Sequence, residues 1–271
     1  MTRRIDGVSE IIDGIDAVLC DQYGVLHDGT TAFDGAHHCL SQLAARRIPI
    51  IAVTNSGKSA AANASRLVRF GFDDNLITGV LSSGEVARQR LMTGLSEGVI
   101  APGIRIHAVE TDAGGDLLDG LPVVLVEHQE DPELVLIAGV DPITTSRDTY
   151  HERLAPLARK NVPAWCANPD HMKYTEHGPM FSSGIVAQDY ALAGGNVTQI
   201  GKPSRVFFQQ ALSMIPHVPP ERILMIGDSP VHDIAGAAAM GLKTLLVEGG
   251  VQAAEVSAEH APADRISRLV W

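Results

Sequence analysis

The sequence predicts an α/β protein whose parallel sheet is covered by helices on both faces and interrupted by a second, inserted α/β unit. Three observations carry this. Short apolar, β-rich runs alternate with segments of helical period along the 271 residues, the pattern of strands buried on both sides. Three of those runs lead straight into polar or glycine-containing segments, and in open α/β sheets ligands bind outside the carboxyl ends of the strands. The middle third carries strand and helix patterns of its own, and at roughly 100 to 200 residues per domain the length suits two modest domains.

Taken in order, a strand at 17–20 runs into Asp21-Gln22-Tyr23-Gly24, and a strand at 48–53 runs into Thr54-Asn55-Ser56-Gly57. The Ala-rich stretch 59–70 reads as a helix closed by Gly71. Ser82-Ser83-Gly84-Glu85 resembles a capping box that opens a helix to Met92. Strands follow at 104–109, 123–126 and 134–138, with a turn at Asp112-Ala113-Gly114-Gly115-Asp116, a helix at 145–160 and a strand at 164–167. A helix at 204–214 follows Pro203, a strand at 223–226 leads into Gly227-Asp228-Ser229-Pro230, a helix at 231–240 ends at Gly241, and a strand at 244–247 follows. No internal repeat is expected. The domain boundaries read as 1–79 for the first part of the core, 80–177 for the insert and 178–271 for the second part of the core.

Composition narrows the function. Apolar residues make up 45% and charged residues 20%, which suits a chain with a sizeable buried core. Twenty-one Lys and Arg against thirty-two Asp and Glu leave a net charge of −11, a field that repels nucleic acid and anionic membranes. No apolar run approaches a membrane span and the start lacks a secretory pattern, so the expected location is cytoplasmic. Three widely spaced cysteines read as reduced thiols. His37, His38 and His232 match no zinc spacing and read as helix-surface residues.

The polar loops carry the chemistry. A carboxylate at a strand end, Asp21, can attack phosphorus when a neighbouring dication screens the repulsion, and can equally serve as a turn residue. Thr54, Asn55 and Ser56 follow a strand and open a helix, so hydroxyl and N–H groups there can cradle a phosphate or simply cap the helix. Lys202, in Gly201-Lys202-Pro203, can neutralise a phosphoryl oxygen and a carboxylate together. Asp228 and Asp233, five residues apart behind Gly227, suit a magnesium ligand plus an outer acceptor, because hard oxygen donors select Mg²⁺. Asp170, in Asn168-Pro169-Asp170, can line the substrate crevice or make a turn.

Together these loops resemble the haloacid dehalogenase-like (HAD) hydrolase superfamily over nearly the whole chain. Asp21 falls in motif I, Thr54 in motif II, Lys202 in motif III, and Asp228 with Asp233 in motif IV. The insertion between motifs II and III, with TNSGKS, CANPD and GKP, is similar to subclass IIA, the NagD-type and p-nitrophenylphosphatase-like branch. The resemblance implies a Rossmann-like HAD core with an inserted α/β C2-type cap domain. It implies an Mg²⁺-dependent phosphatase acting on a small phosphorylated metabolite through an aspartyl-phosphate on Asp21, with Thr54, Asn55 and Ser56 on the phosphate and Lys202 bridging. Asp21, Asp228 and the Tyr23 carbonyl would hold the metal, with Asp233 beside them orienting water or Lys202. It is compatible with a homodimer.

One position departs from the family. Where its phosphatases usually carry a second aspartate, as general acid and base, this chain has Tyr23. Three explanations stand: a substitute acid, either His27 or the Tyr23 phenol; a substrate with a good leaving group, such as an aryl or acyl phosphate, or a phosphonate activated elsewhere; or a regulatory protein that binds a phosphorylated metabolite without rapid turnover. A phosphotransferase is a further alternative.

Overall fold

The computed structural model describes residues 3–73, 75–109, 117–175, 177–249 and 263–271, with the side chain of Tyr174 excepted. The turn expected at 112–116 lies outside the described residues. The strands and helices, in chain order, are β1 (Ala17–Asp21), α1 (Ala36–Ala45), β2 (Ile50–Thr54), α2 (Ala60–Arg69), β3 (Gly79–Ser82), α3 (Ser83–Ser96), β4 (Ile104–Val109), β5 (Val123–Leu125), β6 (Leu134–Ile137) and α4 (Arg147–Arg159). After them come β7 (Ala164–Cys166), β8 (Met172–Thr175), β9 (Gly178–Phe181), α5 (Ser183–Leu192), β10 (Val197–Gln199), α6 (Arg205–Ser213), β11 (Ile223–Gly227), α7 (Gly236–Ala238), β12 (Lys243–Val247) and β13 (Asp264–Ile266).

The chain divides into two compact units. The first comprises Met1–Thr54, Ala61–Leu81 and Lys202–Trp271. Its six-stranded sheet runs β13-β12-β11-β1-β2-β3, with parallel pairing from β13 through β2. β1, β2 and β11 are buried along their whole length, as strands covered on both faces must be. Val18, Ile50, Leu224 and Leu245 pack with Leu40 and Leu43 of α1 in one core.

The second unit comprises Asn55–Ala60 and Ser82–Gly201. Its sheet runs β10-β7-β6-β4-β5, all parallel, and an antiparallel hairpin, β8-β9, stands apart from it. Leu154, Leu157 and Ala158 of α4 meet Val186, Ala187 and Tyr190 of α5 over Val135 and Ile137 of β6. The sequence reading returned the chain to the first unit at 178. The structure keeps 178–201 in the second unit, because α5 belongs to its core and β10 pairs with β7.

Three local readings also change. The stretch read as a helix at 231–240 begins as a π-helical segment, Pro230–Ala235, before α7: the Ser229 carbonyl accepts from both Asp233 N–H (3.0 Å) and Ile234 N–H (3.2 Å), and the second of these is a π-type bond. The capping box at α3 is half formed. Ser82 Oγ accepts from Glu85 N–H at 3.0 Å, but the Glu85 carboxylate accepts from Ala60 N–H at 3.4 Å. Finally, a short motif does recur: Ser82-Ser83-Gly84-Glu85-Val86-Ala87 returns a hundred positions later as Ser182-Ser183-Gly184-Ile185-Val186-Ala187, opening α3 and α5.

Candidate active site

β1 and β11 are neighbours in the sheet, in parallel register, so their carboxyl ends bring Asp21 and the segment after Gly227 side by side. β2 lies on the other side of β1 and ends at Thr54, which is 5% exposed. Lys202 precedes α6, whose cap is Ser204 Oγ, accepting from Phe207 N–H at 3.3 Å. All these residues belong to the first unit.

The Lys202 ammonium is buried between two carboxylates. Its Nζ donates to Asp21 Oδ1 and to Asp233 Oδ1, each at 2.7 Å. Asp233 accepts a further bond on Oδ2 from Ser229 N–H at 3.0 Å. A Cβ on Gly227 would run into the Asp233 side chain, so glycine is what lets that carboxylate sit against the end of β11. Asp228 completes the group: Asp21, Asp228 and Asp233 are buried, and each offers an oxygen within 4.8 Å of the others'.

Three buried carboxylates facing one ammonium leave an excess of negative charge, which is costly in a low-dielectric interior unless a cation offsets it. The all-oxygen donor set fits a hard divalent ion such as Mg²⁺. Asp233 is engaged through both oxygens, and the Asp21 carboxylate accepts from Lys202 through Oδ1 and from the Gln22 N–H. The charge distribution shows in the proton affinities. Burial, followed by the neighbouring Asp233 charge, pushes Asp21 up to about 7, against the pull of Lys202. Burial works to lower Lys202, yet Asp21 and Asp233 together hold its ammonium above the ordinary lysine value.

The loop after β1 is a tight turn. Gly24, at φ +88°, lets the Gln22 carbonyl accept from Val25, Leu26 and His27 N–H at 3.3, 2.8 and 3.2 Å. Tyr23 is half-buried in this turn, with its ring edge-on to His27 at 5.9 Å. His27, offered as a substitute acid, does not keep an ordinary histidine's proton affinity. Burial lowers it to about 4, helped by the Arg66 charge. The ring is fully buried and 4.5 Å from Phe70, and Nδ1 accepts from Gly29 N–H at 3.0 Å. His27 is a neutral packing residue at physiological pH.

Asn55 and Ser56 begin the second unit. There Asn55 Nδ2 donates to Asp170 Oδ1 at 2.8 Å, and Ser83 Oγ donates to Asn55 Oδ1 at 3.3 Å. The Ser56 carbonyl accepts from Gly84 N–H at 3.1 Å. Of the two roles open to Asp170, lining a crevice or making a turn, the turn is present, its N–H bonded to Asn168 Oδ1 at 3.2 Å, and its carboxylate accepts from Asn55. His37 and His38 are exposed on α1. The sequence reading missed Ser229, whose N–H fixes Asp233, and Ser83, which fixes Asn55; the recurring Ser-Ser-Gly was the available signal for the second.

The fold and this cluster define a class first: a parallel α/β hydrolase core that gathers carboxylates and a lysine at its strand ends. A model of the haloacid dehalogenase-like hydrolase family matches residues 18–101, and an HAD-hydrolase-like model matches 199–270. These stretches hold Asp21 and Thr54, and Lys202, Asp228 and Asp233. A phospholysine phosphohistidine inorganic pyrophosphate phosphatase of Xenopus laevis is 30% identical over 252 residues, covering 88% of this chain and 85% of that protein. A solved haloacid dehalogenase-like hydrolase of Brucella suis 1330 superposes with a TM-score of 0.87 at 31% identity, over 98% of this chain and all of that one. A D-glycerol 3-phosphate phosphatase of Mycobacterium tuberculosis is 28% identical over 88% of this chain, which spans only 64% of that protein's length. A glycerol phosphate phosphatase of that organism, solved in complex with magnesium, matches with a TM-score of 0.75 at 26% identity over 95% of this chain and 76% of that one. The chain belongs to the haloacid dehalogenase-like hydrolase family, and its relatives accord with the IIA branch.

Proposed function

We propose that the protein is a magnesium-dependent phosphohydrolase of a small phosphorylated metabolite, with Asp21 as nucleophile. The observation that carries this reading is the buried Lys202 ammonium shared by Asp21 and Asp233 at 2.7 Å, with Asp228 beside them. Phosphatase relatives and a magnesium-bound neighbour support it. Asp21, Asp228 and the Tyr23 carbonyl would hold the ion, which when bound neutralises charge on the phosphoryl oxygens. Lys202 keeps Asp21 aimed and offers its own charge to the transferring group. Thr54 and the backbone of Asn55 would receive phosphoryl oxygens. An Asp21 oxygen attacks phosphorus as the bond to the leaving oxygen breaks; water then attacks the aspartyl-phosphate, releasing phosphate and restoring the carboxylate. We read the inserted unit as the cap that the family resemblance implies, the part of the chain that would set substrate specificity.

Tyr23 sets what such a site does well. His27 is neutral and packed away, which leaves the Tyr23 phenol or a leaving group that departs without a proton. A missing acid forfeits about 10²- to 10⁴-fold on alkyl phosphates. The second reading, slow turnover in a metabolite-binding protein, rests on that same tyrosine. Purified protein assayed with p-nitrophenyl phosphate and Mg²⁺ should hydrolyse it, Asp21→Asn should abolish the reaction, and Tyr23→Asp should raise turnover of glycerol phosphate. Wild-type silence relieved by Tyr23→Asp favours the binder. Activity that survives Asp21→Asn overturns the nucleophile.

A further inference from the structure

Asn55 is held at both ends of its carboxamide by two other segments of the second unit. Asp170 Oδ1 accepts from Nδ2 at 2.8 Å, and Ser83 Oγ donates to Oδ1 at 3.3 Å. Ser83 is fully buried and Asn55 is 5% exposed. Asp170 is itself anchored, its N–H on Asn168 Oδ1 and its carbonyl accepting from Gly184 N–H at 2.9 Å. Gly201 closes the group, since a Cβ there would meet Ser83 Oγ, Asn55 Oδ1 and Pro169 Cδ.

The recurring Ser-Ser-Gly motif explains how two loops come to meet here. Gly84, in the first turn of α3, donates to the Ser56 carbonyl, and a Cβ on it would strike the carbonyls of Gly57 and Lys58. Gly184, in the first turn of α5, donates to the Asp170 carbonyl, and a Cβ on it would strike the carbonyls of Pro169 and Asp170. Each helix start grips one loop through the same device. The Asn55–Asp170 bond is where the two gripped loops join.

We infer that Asp170 is a positioning residue of the reacting centre: its carboxylate fixes the Asn55 side chain and, through it, the Thr54–Asn55 backbone, so that the Thr54 hydroxyl and the Asn55 N–H meet a phosphoryl group already oriented. This rests on the proposal that residues 54 and 55 bind phosphate. A carboxamide engaged at both ends serves as an anchor, and an ionised acceptor makes the stronger of its two bonds. Donors fixed before the substrate arrives bind it without the cost of being ordered at that moment.

A double-mutant cycle with Asp170→Ala and Asn55→Ala tests this on the full chain, reading kcat and KM for p-nitrophenyl phosphate with Mg²⁺, the inhibition constant of inorganic phosphate, and the melting temperature. Each single variant should raise KM and the phosphate constant about tenfold with kcat changed much less. The double variant should be no worse than either single one. Asp170→Asn, which keeps an acceptor oxygen but loses the charge, should fall between wild type and Asp170→Ala. Independent effects that multiply in the double variant overturn the inference while leaving the hydrolase reading intact, as does an Asp170→Ala that shifts only the melting temperature. If Asp170→Ala does not fold, the same cycle run with Ser83→Ala and Asn55→Ala decides whether Asn55 acts as an anchor, and Asp170→Asn decides on the carboxylate. An inactive wild type whose phosphate binding, read by calorimetry, still follows the cycle refutes hydrolysis and keeps the inference. A wild type that neither hydrolyses nor binds phosphate sinks both.

Discussion

At the residue scale the centre is a balance of four charges, and Asp21 is where it tips. In the folded chain without a cation its proton is held to about 7, from a reference of 3.8. Between those values the folded chain keeps a proton that the unfolded chain has released, so this residue's contribution to stability shrinks as pH rises from about 4 to 7. A divalent ion needs the carboxylate ionised, so its affinity runs the other way. Calorimetric Mg²⁺ binding should strengthen by up to about tenfold per pH unit below 7 and level off above it; a flat profile from pH 5.5 to 8 contradicts the assignment. The residues themselves were legible, because Asp21 and Asp228 stand just after apolar runs, Lys202 just before a helix and Asp233 five positions beyond Asp228, in a recognisable order. The fate of His27 was not. Only the fold shows the Gly29 N–H at its Nδ1 and the Phe70 ring against it.

At the scale of elements, the loops at 56–58 and 169–170 are held by the way two helices begin. Gly84 has an ordinary backbone conformation, so its requirement is for space alone: the carbonyls of Gly57 and Lys58 occupy the position of a side chain. Gly84→Ala should therefore cost at least the roughly 1–3 kcal/mol of an overpacked core, since backbone cannot rotate aside as a side chain can. Gly98→Ala, at φ +71° with open space around it, should cost only about 1 kcal/mol. Urea denaturation of the two variants checks the contrast, and equal losses would contradict it. Sequence patterns found α3, α4 and α6 to within a few residues, because each has a serine cap. They missed the π-helical segment, which depends on a carbonyl shared by two donors, and β10, whose three residues are half-buried to exposed and carry too little apolar pattern to announce a strand.

At the scale of the whole molecule, the chain leaves one unit, builds another and returns, and each unit has its own core. Units with separate cores are expected to unfold as separable transitions. Scanning calorimetry should resolve two, and Mg²⁺ at about a hundred times its dissociation constant should stabilise the one belonging to the first unit by about 2.7 kcal/mol, leaving the other unmoved. A shift of both together would mean that the cation acts on more than its own unit. The insertion was legible as a second run of strand and helix patterns, but its far boundary was not, since nothing in the sequence marks β10 as a partner of β7.

The ion pair between Asp21 and Lys202 spans 181 positions. A polypeptide still emerging from the ribosome thus carries Asp21 long before Lys202, Asp228 and Asp233 are added. Until Asp233 has been added, the cluster that Asp21 joins in the folded chain lacks a member, and a site that draws on all of these residues cannot form.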